Sequence, residues 1–429
     1  MDRMRKYHVG RSLLRRGRYL AICAWVLLLN IGPGTRGVSA LESVTTINEV
    51  LARVSQTATA EVAAAVTDIA VAELSQSKSE RFPVVTVDAQ DNLVGDSSSY
   101  EPDYILRVEQ MLFDWGRVDE DVSARASTIE AKRSGEAEAV LDAALQSAEA
   151  FYGIDVVNRK LRSNTENRRS LEDLRGMMER RVANRVSPNI DLQEVNNRIN
   201  LLDIADRRLE ADKRRLQLVL IRLAGVLVEE PEASDCVRSA PLDEGLLVKN
   251  ALAFSPTLDR LRHQADRYAY DEKALDASQY PSLIAGYRAD SKLDGNEFDQ
   301  RAYLALRYEF RVGGDLESRR AGERARYLEQ KALYRRDAES ITQTIGAWVS
   351  SYRVSVSLAE VYRRVISSKV EQKESHLRRF LAGRSSWRDV LGAQQEAAES
   401  RTAQIDSQGA ICLASSSLAL LTGGMSALR

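Results

Sequence analysis

Between Pro102 and Gly116 the chain alternates with a period of two. Tyr104, Leu106 and Val108 fall on one face, and Ile105, Arg107 and Glu109 on the other. That is the pattern of a strand with one apolar and one charged side. Asp114-Trp115-Gly116 closes it, and no proline follows until Pro188, so the spacing predicts a strand feeding one very long helix. The event recurs from Ala302 to Asp315. Ala302, Leu304, Leu306, Tyr308 and Phe310 share one face, Arg307 and Glu309 the other, and Gly313-Gly314 closes the run. Gly116 and Gly314 stand 198 positions apart, an even offset that keeps the strand faces in phase and marks an internal repeat.

Each of these strands has a partner just upstream. Val84 to Val94 places Val85, Val87 and Ala89 opposite Thr86, Asp88 and Gln90, and a polar loop, Gly95 to Glu101, follows. In the second copy Ser282 to Ala289 alternates with Leu283, Ala285 and Tyr287 on one face, before a polar loop from Asp290 to Arg301. Helical stretches precede both pairs: Ile47 to about Arg81, stopped by Phe82-Pro83, and Ala251 to Gln279, stopped by Tyr280-Pro281.

The helix after Gly116 is expected to reach about Val182, roughly 100 Å at 1.5 Å per residue. Its turn spans 183–187, with Asn184 as the left-handed residue and Ser187-Pro188 as a cap followed by proline at the first helical position. The return helix places Leu192, Val195, Ile199, Leu202, Asp206, Leu209, Lys213, Leu216, Leu220 and Leu223 three and four apart, a coiled-coil seam. The second long helix runs from about Leu316 to Leu381, turns at 382–386 and returns with Val390, Ala393, Ala397, Ile411, Ala414, Leu418 and Leu421. This seam is smaller, so it packs closely and is less strongly held. Gly225 and Gly423-Gly424 end the two return helices. Residues 226–250, with Pro231 and Pro241, read as an irregular connection between repeats 41–225 and 251–424, and 425–429 as a short tail.

Composition narrows the class. Only 6% of the 429 residues are aromatic and 29% are charged, with 8 prolines, which suits long amphipathic helices. Mean hydropathy is −0.34, so a polytopic helical membrane protein is excluded. Residues 1–40 read as a signal peptide: a basic start with Arg3, Arg5, Lys6, Arg11, Arg15, Arg16 and Arg18, an apolar run from Tyr19 to Leu29, and Val38-Ser39-Ala40 before the cut. The remainder holds 53 Lys and Arg against 61 Asp and Glu, which argues against nucleic acid. Cys236 and Cys412 remain; a disulfide is permitted outside the cytoplasm, although two widely separated cysteines are more often unpaired. His263 and His376 read as surface histidines within charged helices. No metal-ligand cluster, phosphate loop or nucleophile set is apparent, so neither an enzyme nor a cofactor is expected.

Each strand pair carries one face fit for lipid, and four strands from one chain cannot close a sheet. In lipid an open edge is not tolerated, so closure requires several chains, and three copies supply twelve strands. Arg107, Glu109, Arg307 and Glu309 would then line the lumen. A soluble periplasmic coiled-coil structural or adaptor protein without a membrane barrel is the alternative, with those four residues merely solvated.

The order helix, two strands, long helix, turn and return helix, twice over behind a signal peptide, resembles the TolC family of outer-membrane channel proteins. The matching motifs are Gln110-Met111-Leu112-Phe113-Asp114-Trp115-Gly116, Phe310-Arg311-Val312-Gly313-Gly314, Ser255-Pro256, Tyr280-Pro281 and Gly383-Arg384-Ser385-Ser386-Trp387-Arg388-Asp389-Val390-Leu391. The resemblance covers essentially all of 41–425. It implies a mainly α protein with a small transmembrane β part: a homotrimer with a twelve-stranded β-barrel in the outer membrane and a twelve-helix α-barrel across the periplasm. It further implies cargo received from an inner-membrane ABC or proton-driven pump through a periplasmic adaptor, in efflux or type I protein secretion. The family's periplasmic gate has an aspartate matching Asp389, with Gly383, Arg384 and Arg388 around it. A second acid of that gate falls at Gly392 here. The first copy also departs, with Asn184 for the turn glycine and Ser55-Gln56 without the proline of Ser255-Pro256.

Overall fold

The computed structural model describes residues 44–90, 103–232, 243–291, 298–309 and 313–423. The expected signal peptide, the loop Gly95–Glu101, residues 292–297 of the second polar loop, Cys236 and the tail lie outside them. The elements run α1 (Ile47–Val54), α2 (Ala58–Ser79), β1 (Val84–Gln90), β2 (Asp103–Phe113), α3 (Arg117–Ala183), α4 (Asn189–Ala224), α5 (Glu244–Phe254), α6 (Pro256–Ala277), β3 (Ser282–Ser291), β4 (Phe298–Arg307), α7 (Asp315–Leu381) and α8 (Trp387–Gly423). The duplication is therefore complete, with a helix pair, a strand pair and a long hairpin in each copy. α3 and α7 have the same length, 67 residues, about 100 Å each. Gly116 and Gly314 precede them with φ of 85° and 74°, left-handed conformations that favour glycine.

Several boundaries differ from the sequence expectation, each for a local reason. The helix expected over Ile47–Arg81 is broken at Ser55–Thr57 without any proline. The Ser55 and Thr57 hydroxyls donate back to the carbonyls of Ala52 and Val54, at 3.4 and 2.9 Å, and Thr57 turns extended. Such side-chain bonds compete with the helical ladder. The helix of the second copy breaks likewise at Ser255, whose hydroxyl accepts from the Leu258 N–H while Pro256 takes the first helical position. It begins at Glu244, inside the stretch read as an irregular connection, because the Asp243 carboxylate caps the Gly245 and Leu246 amides. β3 runs on to Ser291 and β4 starts at Phe298, so the second polar loop is shorter than 290–301.

The first tip also differs. Asn184 keeps φ −84°, and the left-handed residue is Arg185, φ 58°. The Arg185 and Val186 amides donate to the carbonyls of Val182 and Arg181, at 2.9 and 2.8 Å, which is the Schellman closure. Pro188 is the N-cap of α4 rather than its first helical residue, and Ser187 instead accepts from the Arg181 guanidinium. The second tip makes the same closure with Gly383, φ 72°. Cys412, expected to be unpaired, is disulfide-bonded; its partner lies outside the described residues.

Three apolar clusters hold the length together. One joins α1, α3, α4, α8 and the segment after α4 through Val50, Val54, Phe151, Ile154, Leu220, Val226, Val228 and Leu420. A second joins α5, α7 and α8 through Ala251, Ile345, Val349 and Leu418. The third lies at the tips, around Met178, Val195, Phe380 and Trp387. Between them polar pairs fix the phase of α3 against α8: Tyr152 with Ser416 at 2.8 Å, Lys160 with Asp406 at 2.7 Å, and Asn167 with Gln394 at 2.7 Å. In the α4 seam the interrupting Asp206 accepts from Asn164 and Arg168, at 2.7 and 2.8 Å, so the polar interruption is satisfied rather than buried bare.

Arg185 is the one side chain at a hairpin turn held left-handed where its counterpart is glycine. Arg185→Gly is expected to stabilise the chain by about 1 kcal/mol, read as a rise in denaturant midpoint without a change in slope. A lower midpoint would mean that the arginine side chain contributes more than its backbone strain costs.

Candidate functional site

The four strands form one antiparallel sheet in the order β1-β2-β3-β4. β1 and β4 are its open edges. Register puts Val85, Val87, Tyr104, Leu106, Val108, Tyr287, Leu304 and Leu306 on one face. All but the half-buried Val108 are exposed, Val87 to 70% and Leu306 to 73%. A bulge at Leu112 shifts the register so that Phe113 aligns with Leu283 and joins the same side. At the sheet's base Trp115 lies 5.1 Å from Phe113 and 4.8 Å from Tyr280, ring centre to ring centre, and its indole N–H donates to the Pro281 carbonyl at 3.0 Å. Trp115 itself has φ 60°.

The opposite face is charged and organised in rows. Arg107 stands in register with Arg288, and Arg288 with Arg301, so three arginines lie abreast across the sheet. The next row, two residues along, holds Asp88, Ile105, Asp290 and Asp299. The rows neutralise each other: Asp290 accepts from Arg288 at 2.9 Å and pairs with Arg301 at 3.6 Å. On the other side of the arginine row, Glu109 accepts from the Tyr303 hydroxyl at 2.8 Å and from Arg307 at 3.2 Å. The Tyr303 ring covers Gly286, where a Cβ would come within 2.2 Å of it, so glycine is required for this approach.

Of the four residues picked out in the sequence, Arg107, Glu109 and Arg307 therefore lie on one face, two of them bonded to each other. Glu309 lies beyond the end of β4, where it lines a cavity of 650 Å³ at the sheet's base together with Arg117, Asp121, Arg267, Asp271 and Arg307. Asp271, half-buried there, has its carboxyl pushed above the ordinary range by desolvation first, with Glu323 and Asp121 adding to it. Sequence reasoning missed Arg288, Asp290, Asp299, Arg301 and Tyr303. The same alternation, carried to the true ends of β3 and β4, would have found them.

At the far end, Asp389 is the third residue of α8, just past the second tip. Its Oδ2 accepts from the Ser386 amide and the Ser385 hydroxyl, both at 2.9 Å, and its own N–H donates to Ser386 Oγ at 3.2 Å. This is a capping box with aspartate in place of glutamate. The backbone bond first, then the two serine hydroxyls, hold its carboxyl below the ordinary value. Its other oxygen takes no hydrogen bond among the described residues. Arg384 and Arg388 do not pair with it within the chain. His376, expected to be a plain surface residue, is half-buried with Nδ1 3.3 Å from the Ser385 hydroxyl. Trp387 ties this tip to the first: it is 3% exposed, its indole N–H donates to the Asp191 carbonyl at 3.0 Å, and it packs on Phe380, over which Arg181 lies at 4.8 Å.

Residues 247–424 match the model of the outer membrane efflux protein family. No curated protein sequence matches the chain. In fold, the chain is similar to the outer membrane protein VceC of Vibrio cholerae, with a TM-score of 0.77 at 16% identity over 88% of this chain and 96% of that one. It is similar to the outer-membrane channel OprN, with 0.78 at 15% over 88% and 90%. The CmeC outer membrane channel of Campylobacter jejuni gives 0.71 at 13% over 88% and 85%. Among the described residues no helix is long and apolar enough to cross a membrane.

Two outcomes are expected at the tip. Trp387→Ala removes a buried indole, a loss of about 3–5 kcal/mol, and should raise amide exchange over 378–391 while leaving α3 near Phe151 protected; equal exchange in both proteins would show that Trp387 does not hold the tip. Because the Asp389 carboxyl is depressed, its contribution is present above the unfolded value near about 4 and is lost as pH falls through the lower folded value. Tip protection should therefore be flat from neutral pH to about 4.5 and fall below that, and Asp389→Asn should remove the fall.

Proposed function

We propose, taking this chain as a member of the outer membrane efflux protein family, that it is the outer-membrane exit duct of a tripartite export system. The observation that carries this reading is the four-stranded sheet. It has one uncovered apolar face, one charged and internally paired face, and two open edges, and it continues into helices of about 100 Å. A soluble protein would have to cover that apolar face, whereas a barrel in lipid presents it outward and its charged rows inward.

Closure needs neighbours, because β1 and β4 each leave a line of backbone donors and acceptors unpaired. Three chains contribute twelve strands, and α3, α4, α7 and α8 from each contribute a twelve-helix wall below. A homotrimer with a long periplasmic portion follows. The family resemblance supplies its partners: a periplasmic adaptor and an inner-membrane ABC or proton-driven pump, in efflux or type I secretion. Catalysis and cofactors have no part in this function; the duct works by its wall and its gate.

Inside the barrel the three arginines of each chain form a basic ring, and the aspartates beside them an acidic one. Charged rings set which ions pass. At the other end the tips converge, and three copies of Asp389 form the gate. In each copy the cap occupies one carboxylate oxygen, which leaves the second for a cation or for Arg384 or Arg388 of a neighbour. Gly383 makes the sharp turn that presents them.

Extracted into detergent, the chain should have the mass of three protomers and shift in mobility when boiled; a stable monomer that keeps its strand content would refute the duct. In planar bilayers Asp389→Ala should change conductance and reduce cation block with the trimer intact. If conductance, selectivity and block are all unchanged, Asp389 is a helix cap alone and the gate lies elsewhere. Replacing Arg107, Arg288 and Arg301 by glutamine should shift selectivity toward cations, since the aspartate row then stands unopposed.

A further inference from the structure

Arg107 of β2 and Arg288 of β3 are direct partners in the antiparallel register. Like charges placed opposite each other destabilise a sheet, so each guanidinium calls for an anion nearby. Arg288 has one. Its Nε donates to both carboxylate oxygens of Asp290, at 2.9 and 3.0 Å, which leaves its two terminal nitrogens without a partner among the described residues. Arg107 has none. It is half-buried and forms no hydrogen bond or ion pair among the described residues. Asp88 and Asp290 both stand diagonal to it, yet neither pairs with it, and Asp290 is shared between Arg288 and Arg301. On the β1 side the register partner of Arg107 is Thr86, a hydroxyl that brings no charge.

Two residues along each strand, about 7 Å, the same face changes character. Gly286 has no side chain, and Tyr303 of β4 reaches across it so closely that a Cβ there would collide with the ring. The Tyr303 hydroxyl continues to Glu109 on β2, at 2.8 Å. The ring therefore lies along the sheet, from β4 over β3 to β2, beside the arginine pair. Glu109 is the carboxylate nearest the pair on that side, and it is already engaged by the Tyr303 hydroxyl and by Arg307 at 3.2 Å. Two guanidinium groups with free N–H donors stand next to an aromatic plane.

We propose that Arg107 and Arg288 hold the carboxylate or sulfonate of an organic anion in transit, with Thr86 as a further donor and the Tyr303 ring as the floor for the anion's apolar body. The guanidinium fork matches an oxyanion through paired N–H donors, and the ring supplies contact area that an inorganic anion does not use. The inference rests on the reading of the charged face as the inside of a duct, and it gives that duct a cargo class: small amphiphilic anions. In that reading the apolar face that meets lipid is the opposite side of the sheet, which excludes a phospholipid headgroup. The site is built from adjacent strands of one chain, so a barrel of three chains holds three. A duct needs a site that fills readily and empties readily. Asp290 and Glu109 border this one, and their charge limits how long an anion stays.

The test uses the full-length, membrane-extracted protein in planar bilayers, with benzenesulfonate and methanesulfonate as probes. The two carry the same charged group and differ in the ring. Benzenesulfonate should reduce the single-channel current at a lower concentration than methanesulfonate. Arg107→Gln should raise the benzenesulfonate concentration for half block about tenfold, the size of one charge-assisted hydrogen-bonding partner. Tyr303→Leu should bring benzenesulfonate to the level of methanesulfonate, whereas Tyr303→Phe should keep the difference. Arg107→Gln removes a like-charge pair and is expected to fold. A second measurement needs no current: benzenesulfonate should raise the temperature at which the wild-type oligomer dissociates in detergent and leave that of Arg107→Gln unchanged. Equal block of the wild type and Arg107→Gln, or equal block of the wild type by the two probes, would overturn the site while leaving the channel standing. A wild-type chain that is monomeric or forms no channel would overturn the duct and the site with it.

Discussion

An antiparallel sheet of four strands with two open edges is the constraint on which the rest of the molecule depends. Each edge leaves a line of backbone N–H and C=O groups without partners, and one whole face presents valine, leucine and tyrosine uncovered. In water such a sheet invites uncontrolled pairing. In lipid the open edge costs several kcal/mol for each unpaired group. Neither solvent suits the isolated chain, and in the proposed trimer the other two copies complete the sheet. Much of the charged face is already paired: Asp290 with Arg288 and Arg301, and Glu109 with Tyr303 and Arg307, satisfy one another within the chain.

Below the sheet the problem is different. Among the described residues the two helices of 67 residues are held by three separate apolar clusters rather than one. Stability is spread over three clusters and the polar pairs between them. The clusters sit where the chain changes direction or where extra elements reach in: α1 and the segment after α4 around Phe151, α5 around Ile345, and the paired tips around Trp387. Between clusters the α3–α8 contact relies on pairs such as Asn167 with Gln394 and Lys160 with Asp406, which hold the phase of the helices while adding modestly to stability.

The tip illustrates how one residue can carry two roles. Asp389 supports the start of α8 through one oxygen, which fixes where its other oxygen sits. In the proposed channel that places an anionic ligand on a rigid helix end rather than on a mobile loop. The smaller seam of α8, read in the sequence as less strongly held, is compensated at the tip by the Trp387 contact with α4. Seam packing and tip packing are thus separate determinants of how freely this hairpin moves.

Much of this was legible in the chain itself. The two faces of each strand, the two very long helices, the tip positions and the duplication follow from side-chain direction, which has a period of two in strands and 3.6 in helices and is settled by neighbouring residues. The left-handed turns at Gly116, Gly314 and Gly383 are equally local. The breaks at Ser55–Thr57 and the turn at Arg185 were not legible, because serine, threonine and arginine are compatible with helix, and only the competition among hydrogen bonds at those positions decided them. What the tertiary structure alone decided is which distant residues share a row. Arg107, Arg288 and Arg301 stand abreast because strands separated by up to about two hundred residues pair in one register, and the bulge at Leu112 shows that the register changes within a single strand. His376 reaches the Ser385 hydroxyl, and Trp387 reaches the Asp191 carbonyl, only because two helical hairpins end at the same depth. Periodicity gives direction, but depth and register come from non-local backbone bonds and packing, and those arise only when the whole chain is folded.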